Sequence, residues 1–127
     1  MASELRVNTL KDASGNNSIA TSFVAGGSAK AWIAFNGQNT IAIRDSHNIA
    51  SISDVGTGQY GVNFTNAMST ANYSSVCNRA SFTATTAGGA NACIVTASSI
   101  TKLQSYDDSG GLGDRDNITA HVLGDLA

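Results

Sequence analysis

The stretch ISDVGTGQYGVNF, residues 52–64, decides the fold class. Tyr60, Val62 and Phe64 alternate with Gln59, Gly61 and Asn63, which is the period of a strand with one face buried. If the chain reverses through Gly56, Thr57 and Gly58, Ile52 and Ala50 fall on the same apolar face, because directly opposed residues of an antiparallel pair share a face. Two glycines at this spacing also occur in phosphate cradles. Here they join strand to strand, and no helix follows whose N-terminus would meet an anion. The stretch reads as a β-hairpin.

Upstream, AWIAFNGQNTIAI repeats the pattern. Ile33 and Phe35 share one face, Ile41 and Ile43 form the matching face of the next strand, and Trp32 and Ala34 lie on the other side. Pairing the apolar sets requires a loop of roughly three or five residues around Asn36 and Gly37, such as a turn with a bulge and a positive φ. Downstream, TNAMSTANY places Ala67, Met68 and Ala71 at helical spacing, enough for about one turn of connector. Strands resume with YSSV, ASFTAT, ACIVTA, SITKLQSY and NITAHVL, each bounded by Gly, Asn, Asp or Ser. Short, evenly spaced strands without a long helix predict an all-β domain, a β-sandwich or jelly-roll-like arrangement of short antiparallel strands. Ahead of it, Leu5, Val7 and Thr9 alternate as a strand, DASGNNS is a turn, and SIATSFV reads as a second short strand with Ile19, Thr21 and Phe23 on one side. Residues 1–27 are thus expected to form an extended arm that packs on a neighbour or on the main body, and residues 28–127 a knob domain.

A chain of 127 residues is the size of one domain. Leu, Ile, Val and Phe make up only about a fifth of it, near the level at which disorder sets in. A net charge of -2 with 13% charged residues gives little self-repulsion, so the chain folds, but around a thin core. Self-association is the simplest way to add core without adding chain, and a homo-oligomer is expected. The pI of about 5.4 and the lack of a Lys/Arg cluster argue against nucleic acid. No stretch reaches the roughly 18 apolar residues of a membrane span, and MASELRVNTLKDASG lacks the apolar segment of a secretory signal. The Asn-x-Ser/Thr triplets at Asn16, Asn63, Asn72 and Asn117 are then products of composition.

Cys77 and Cys93 flank TAGGAN, residues 86–91. With that segment as a hairpin turn, Cys77 lies near Ile100 and Cys93 near Ala84, beyond bridging distance, so two free, buried thiols are expected. Asp45 and His47 sit among serines, yet no G-x-S-x-G elbow accompanies them, and no enzymatic activity is expected. His121, within ITAHVL, reads as a strand residue at a face or interface. Two separated histidines make no metal set within one chain, although on a threefold axis one histidine per subunit would suffice; no cofactor is expected. The densest charge cluster is YDDSGGLGDRDN, residues 106–117, whose carboxylate spacing differs from a calcium loop and whose glycines suggest a mobile surface hairpin. Its Asp107, Asp108, Asp114 and Arg115 offer hydrogen bonds to a glycan or a surface protein, with Tyr106 as a stacking platform.

AKAWIAFNG followed by TIAIRDSHNIASISDVGTGQYGVNFTNAMSTANYSSV resembles a domain of bacteriophage tail fibre proteins. The resemblance is strong over residues 29–76 and rests on Trp32, Phe35, Asn36 and Gly37, then Arg44, Asp45 and Asn48, then Gly58, Tyr60, Val62 and Phe64. ELRVNTLKDASGNNSI and SITKLQSYDDSGGLGDRDNITAHVLG are similar to the opening and closing strands of such domains. The resemblance implies a virion component, assembled in the host cytoplasm as a homotrimer of β-rich subunits and acting in adsorption to the host surface. Trp32, Phe35, Tyr60, Val62 and Phe64 would then form the subunit interface or core, and residues 1–27 would contact other tail or capsid proteins. His47 stands where an aromatic is expected. A fibre also carries an attachment region and a shaft, whereas this chain offers a short arm, so a trimeric decoration, head-fibre or connector protein is the alternative.

Overall fold

The computed structural model describes residues 3, 5–80, 92–107 and 109–127. The expected strand ASFTAT, apart from Ala80, and the turn TAGGAN lie outside them. Among the described residues the main body contains eight strands: β3 (Ala29–Asn36), β4 (Ala42–His47), β5 (Ile49–Gly56), β6 (Gln59–Phe64), β7 (Ser74–Ala80), β8 (Ala92–Thr96), β9 (Ser99–Gln104) and β10 (Asn117–Leu123). They form two antiparallel sheets, ordered β4-β3-β10-β7 and β5-β6-β9-β8. Their facing sides share one core of Ile33, Phe35, Tyr60, Val62, Ile100, Leu103, Ile118 and Val122, with smaller neighbours. The domain is therefore all-β and sandwich-like. Neighbours in sequence pair as the hairpins β3–β4, β5–β6 and β8–β9, an order that does not itself establish jelly-roll wiring.

The central hairpin pairs Ile52 with Val62 and closes tightly, Gly56 opposite Gln59, with Gly58 at φ +62°. Ala50 is skipped at a bulge between Ile49 and Ser51. Residues 37–41 link β3 to β4, and Phe35 opposes Ile43. A bulge between Ala34 and Phe35 then shifts the register, so Ile33 faces Ser46 and Trp32 faces His47. Positive φ in that loop falls on Asn39, at +57°. Asn48, also at +57°, is the single residue through which the chain passes from one sheet to the other; Asn tolerates this conformation better than most residues. Its side chain accepts from the Asn66 backbone N–H at 2.8 Å and donates to the Asn66 carbonyl at 3.0 Å, fastening the corner.

Three expectations are corrected. Cys77 and Cys93 are joined in a disulfide, with Cα atoms 7.3 Å apart. Their strands are not a hairpin: β7 is the edge of one sheet and β8 the edge of the other, so the chain crosses between sheets where a turn was expected, and the cysteines meet across the sandwich. TNAMSTANY forms no helix; Met68 bridges to Leu126 and is 1% exposed in the core, because burying one large side chain outweighs a single turn of weak helix formers. SIATSFV does not stay a strand. The arm instead pairs β1 (Thr9–Leu10) with β2 (Ile19–Ala20) and continues into α1 (Thr21–Gly27). None of the described residues before Ala31 is buried.

Candidate functional site

The loops 37–41, 57–58 and 105–116 gather at one end of the sandwich. Gly58 N–H donates to Asp114 Oδ1 at 2.6 Å, and Ser105 N–H donates to the Gly58 carbonyl at 2.8 Å. The Tyr60 hydroxyl donates to Asp114 Oδ1 at 2.9 Å and lies 3.0 Å from the Gly37 carbonyl oxygen. Gly37 N–H donates to the Arg115 carbonyl at 2.8 Å. Burial foremost, and then the hydrogen bond to Asp114, push the Tyr60 phenol well above its ordinary range. The phenol therefore stays protonated as a donor.

The acidic loop folds on itself as well. Asp107 Oδ1 accepts from Ser109 N–H at 2.9 Å, Ser109 Oγ at 3.0 Å and Gly111 N–H at 2.7 Å. The backbone donor of Gly111, followed by the Ser109 hydroxyl, holds the Asp107 carboxyl below its usual value, and the Arg115 charge adds to this. Ser105 Oγ donates to the Gly113 carbonyl at 2.5 Å, and Tyr106 bridges Leu112. The surface hairpin expected of this segment pairs Tyr106 with Leu112 and is braced by these bonds.

The candidate receptor residues divide accordingly. Asp107 and Asp114 are committed to internal hydrogen bonds, Tyr106 and Arg115 are half-buried, and Asp108 lies outside the described residues. Arg115 Nε is buried without a hydrogen-bond partner. Phe35, Tyr60, Val62 and Phe64 lie in the core, with Phe35 and Tyr60 packed edge to face at 5.1 Å. Trp32 does not join them: it points outward between buried Ala31 and Ile33 and is half-buried. Among the described residues, no three His, Cys, Asp or Glu side chains are placed to hold a metal ion, and no helix is long and apolar enough to cross a membrane.

Sequence reasoning missed two features. One is the Asp114–Tyr60 bond, whose partners are 54 residues apart. The other is the row formed by the outward residues of one sheet: Trp32 directly opposes His47 on β4 and His121 on β10, and His121 opposes Val76 on β7. Its signal was present in the alternation of Trp32 with Ile33 and of His121 with Val122. Comparisons with protein-family models, curated proteins and solved structures returned no match.

Proposed function

We propose that this chain is a bacteriophage tail fibre protein that assembles as a homotrimer and mediates adsorption to the host cell surface. The observation that carries the reading is the arm. Leu5 is 79% exposed and Phe23 74%, with Leu10, Ile19 and Val24 also exposed, so the chain's own fold leaves an apolar segment uncovered, in addition to the exposed Val55, Val76 and Ile94 of the sandwich. Uncovered apolar side chains of this kind mark an association surface. Copies of the chain, or adjoining tail or capsid proteins, would bury it. The resemblance of residues 29–76 to tail fibre domains sets the biological context, and the braced loop end offers rigid turns for recognition. In this setting the Cys77–Cys93 disulfide closes after the virion leaves the reducing host cytoplasm.

The same arm supports a second reading, a trimeric decoration, head-fibre or connector protein with a structural role. One pair of assays separates them. Purified protein that adsorbs to host cells and blocks infection supports the fibre, whereas binding to stripped virions but not to cells supports the structural part. Binding to neither would overturn both.

A further inference from the structure

We propose that the outer face of the β4-β3-β10-β7 sheet is a carbohydrate-binding platform centred on Trp32. The proposal concerns this face alone and stands apart from the virion setting.

Directly opposed residues of an antiparallel sheet share a face, so the register sets His47, Trp32, His121 and Val76 in one row across the sheet. At the usual strand separation, the row is about 14 Å long. All four residues point away from the core: His121 is exposed between buried Ala120 and Val122, Val76 is 53% exposed, and Trp32 alternates with buried Ala31 and Ile33. One step along the strands, about 7 Å away, the next outward row holds Asp45, Ala34, Thr119 and Asn78. On the other side Leu123 opposes Ser74. A strip with an indole between two imidazoles is therefore flanked by a carboxylate, a hydroxyl and an amide.

That arrangement matches the two-sided chemistry of a sugar. The C–H face of a pyranose stacks on an aromatic ring, and its hydroxyl edge exchanges hydrogen bonds with imidazole, carboxylate and amide groups. An open sheet face suits an extended oligosaccharide better than a compact ligand, which requires a concavity. Nucleic acid is disfavoured by a net charge of -2, and Lys30, which shares the Trp32 side of β3, spends its ammonium on hydrogen bonds to Ala25 and Ser28. A second copy fits less well: a stable interface buries about 800 Å² per partner around an apolar centre, whereas Trp32, Val76 and Leu123 are the large apolar side chains this face offers among the described residues.

The chain contains one tryptophan, so its intrinsic emission reports on this site alone. The full chain is applied to an array of printed oligosaccharides, and the best binder is titrated while Trp32 emission is followed. A saturable change is expected, with Trp32→Ala losing binding at least about tenfold, His121→Ala losing severalfold, and Val55→Ala, at an exposed position on the other sheet, keeping it. Because Trp32 faces outward, the alanine variant should keep a thermal transition close to wild type, and Trp32→Phe should retain partial binding if that variant proves unstable. A blank array, or identical profiles for wild type and Trp32→Ala, overturns the proposal. So does ligand-free protein whose Trp32 becomes shielded from acrylamide as the concentration rises, since a second copy would then occupy the face. Cell adsorption by wild type together with array profiles identical for wild type and Trp32→Ala defeats the platform but leaves the adsorption reading intact. Sugar binding at Trp32 without adsorption to cells or virions does the reverse.

Discussion

At Gly58 the backbone has φ +62°, and a Cβ would sit 2.5 Å from the Ser105 carbonyl oxygen and 2.6 Å from Gly113 N. Both obstacles are backbone, so neither can swing aside. Gly58→Val should lower stability by about 3 kcal/mol or more in a thermal melt, and an unchanged transition would exclude this turn. Asp114 is the acceptor for both Gly58 N–H and the buried Tyr60 hydroxyl. Its replacement by Ala should cost about 1–3 kcal/mol, because it leaves the Gly58 N–H unpaired and the Tyr60 hydroxyl with the Gly37 carbonyl alone. Two titrations have defined signs. Burial pushes the Tyr73 phenol up from 10.0 to about 12, so the unfolded chain releases this proton first. Its contribution is complete below about pH 10 and disappears as pH rises through about 12; Tyr73→Phe should flatten the alkaline limb of the stability profile. Asp107 is shifted the other way. Its contribution is present above the ordinary carboxylate value of about 3.9 and is lost as pH falls through its lower folded value, so Asp107→Asn should flatten the acid limb.

Among the elements, the β5–β6 hairpin was the most legible, because a strict period of two admits few registers and Ile52 opposite Val62 is one of them. Val62 is fully buried between the sheets, so Val62→Asp should abolish folding or assembly through an unpaired buried charge, at several kcal/mol; a soluble, cooperatively melting variant would contradict this packing. The cystine was illegible for a definite reason. Spacing cannot distinguish a hairpin from a crossover between sheets, and only the crossover brings Cys77 to Cys93. Closing a link over a sequence separation of 16 should contribute about 3 kcal/mol. Reductant should therefore lower the melting temperature by about 10 °C, and Cys77→Ser should show the same loss without reductant. The α1 segment and the stretch around Met68 were misread because apolar spacing over a few residues does not separate strand, helix and bend. The loop end was half-legible: its acidic composition marked it, but nothing local shows that Asp114 turns inward to the Tyr60 hydroxyl. Trp32 was placed on the correct face, and its neighbours across the sheet emerged only with the register.

For the whole molecule, the low content of large aliphatic residues meets a sandwich whose core is nevertheless continuous between its sheets. Apolar surface is left open in the arm, above all at Leu5 and Phe23, and also on the sandwich at Val55, Val76 and Ile94. Exposed apolar surface of this kind favours association, and a symmetric homo-oligomer is its simplest form. Shortening the chain by residues 1–27 should weaken assembly while leaving the sandwich cooperative, since none of the arm's described residues lends a buried side chain to the core. Sedimentation velocity of the full-length chain over a hundredfold range of concentration tests this most directly. A species of about 39 kDa, three copies of 12.9 kDa, is the predicted result; a single 12.9 kDa species at every concentration would contradict it.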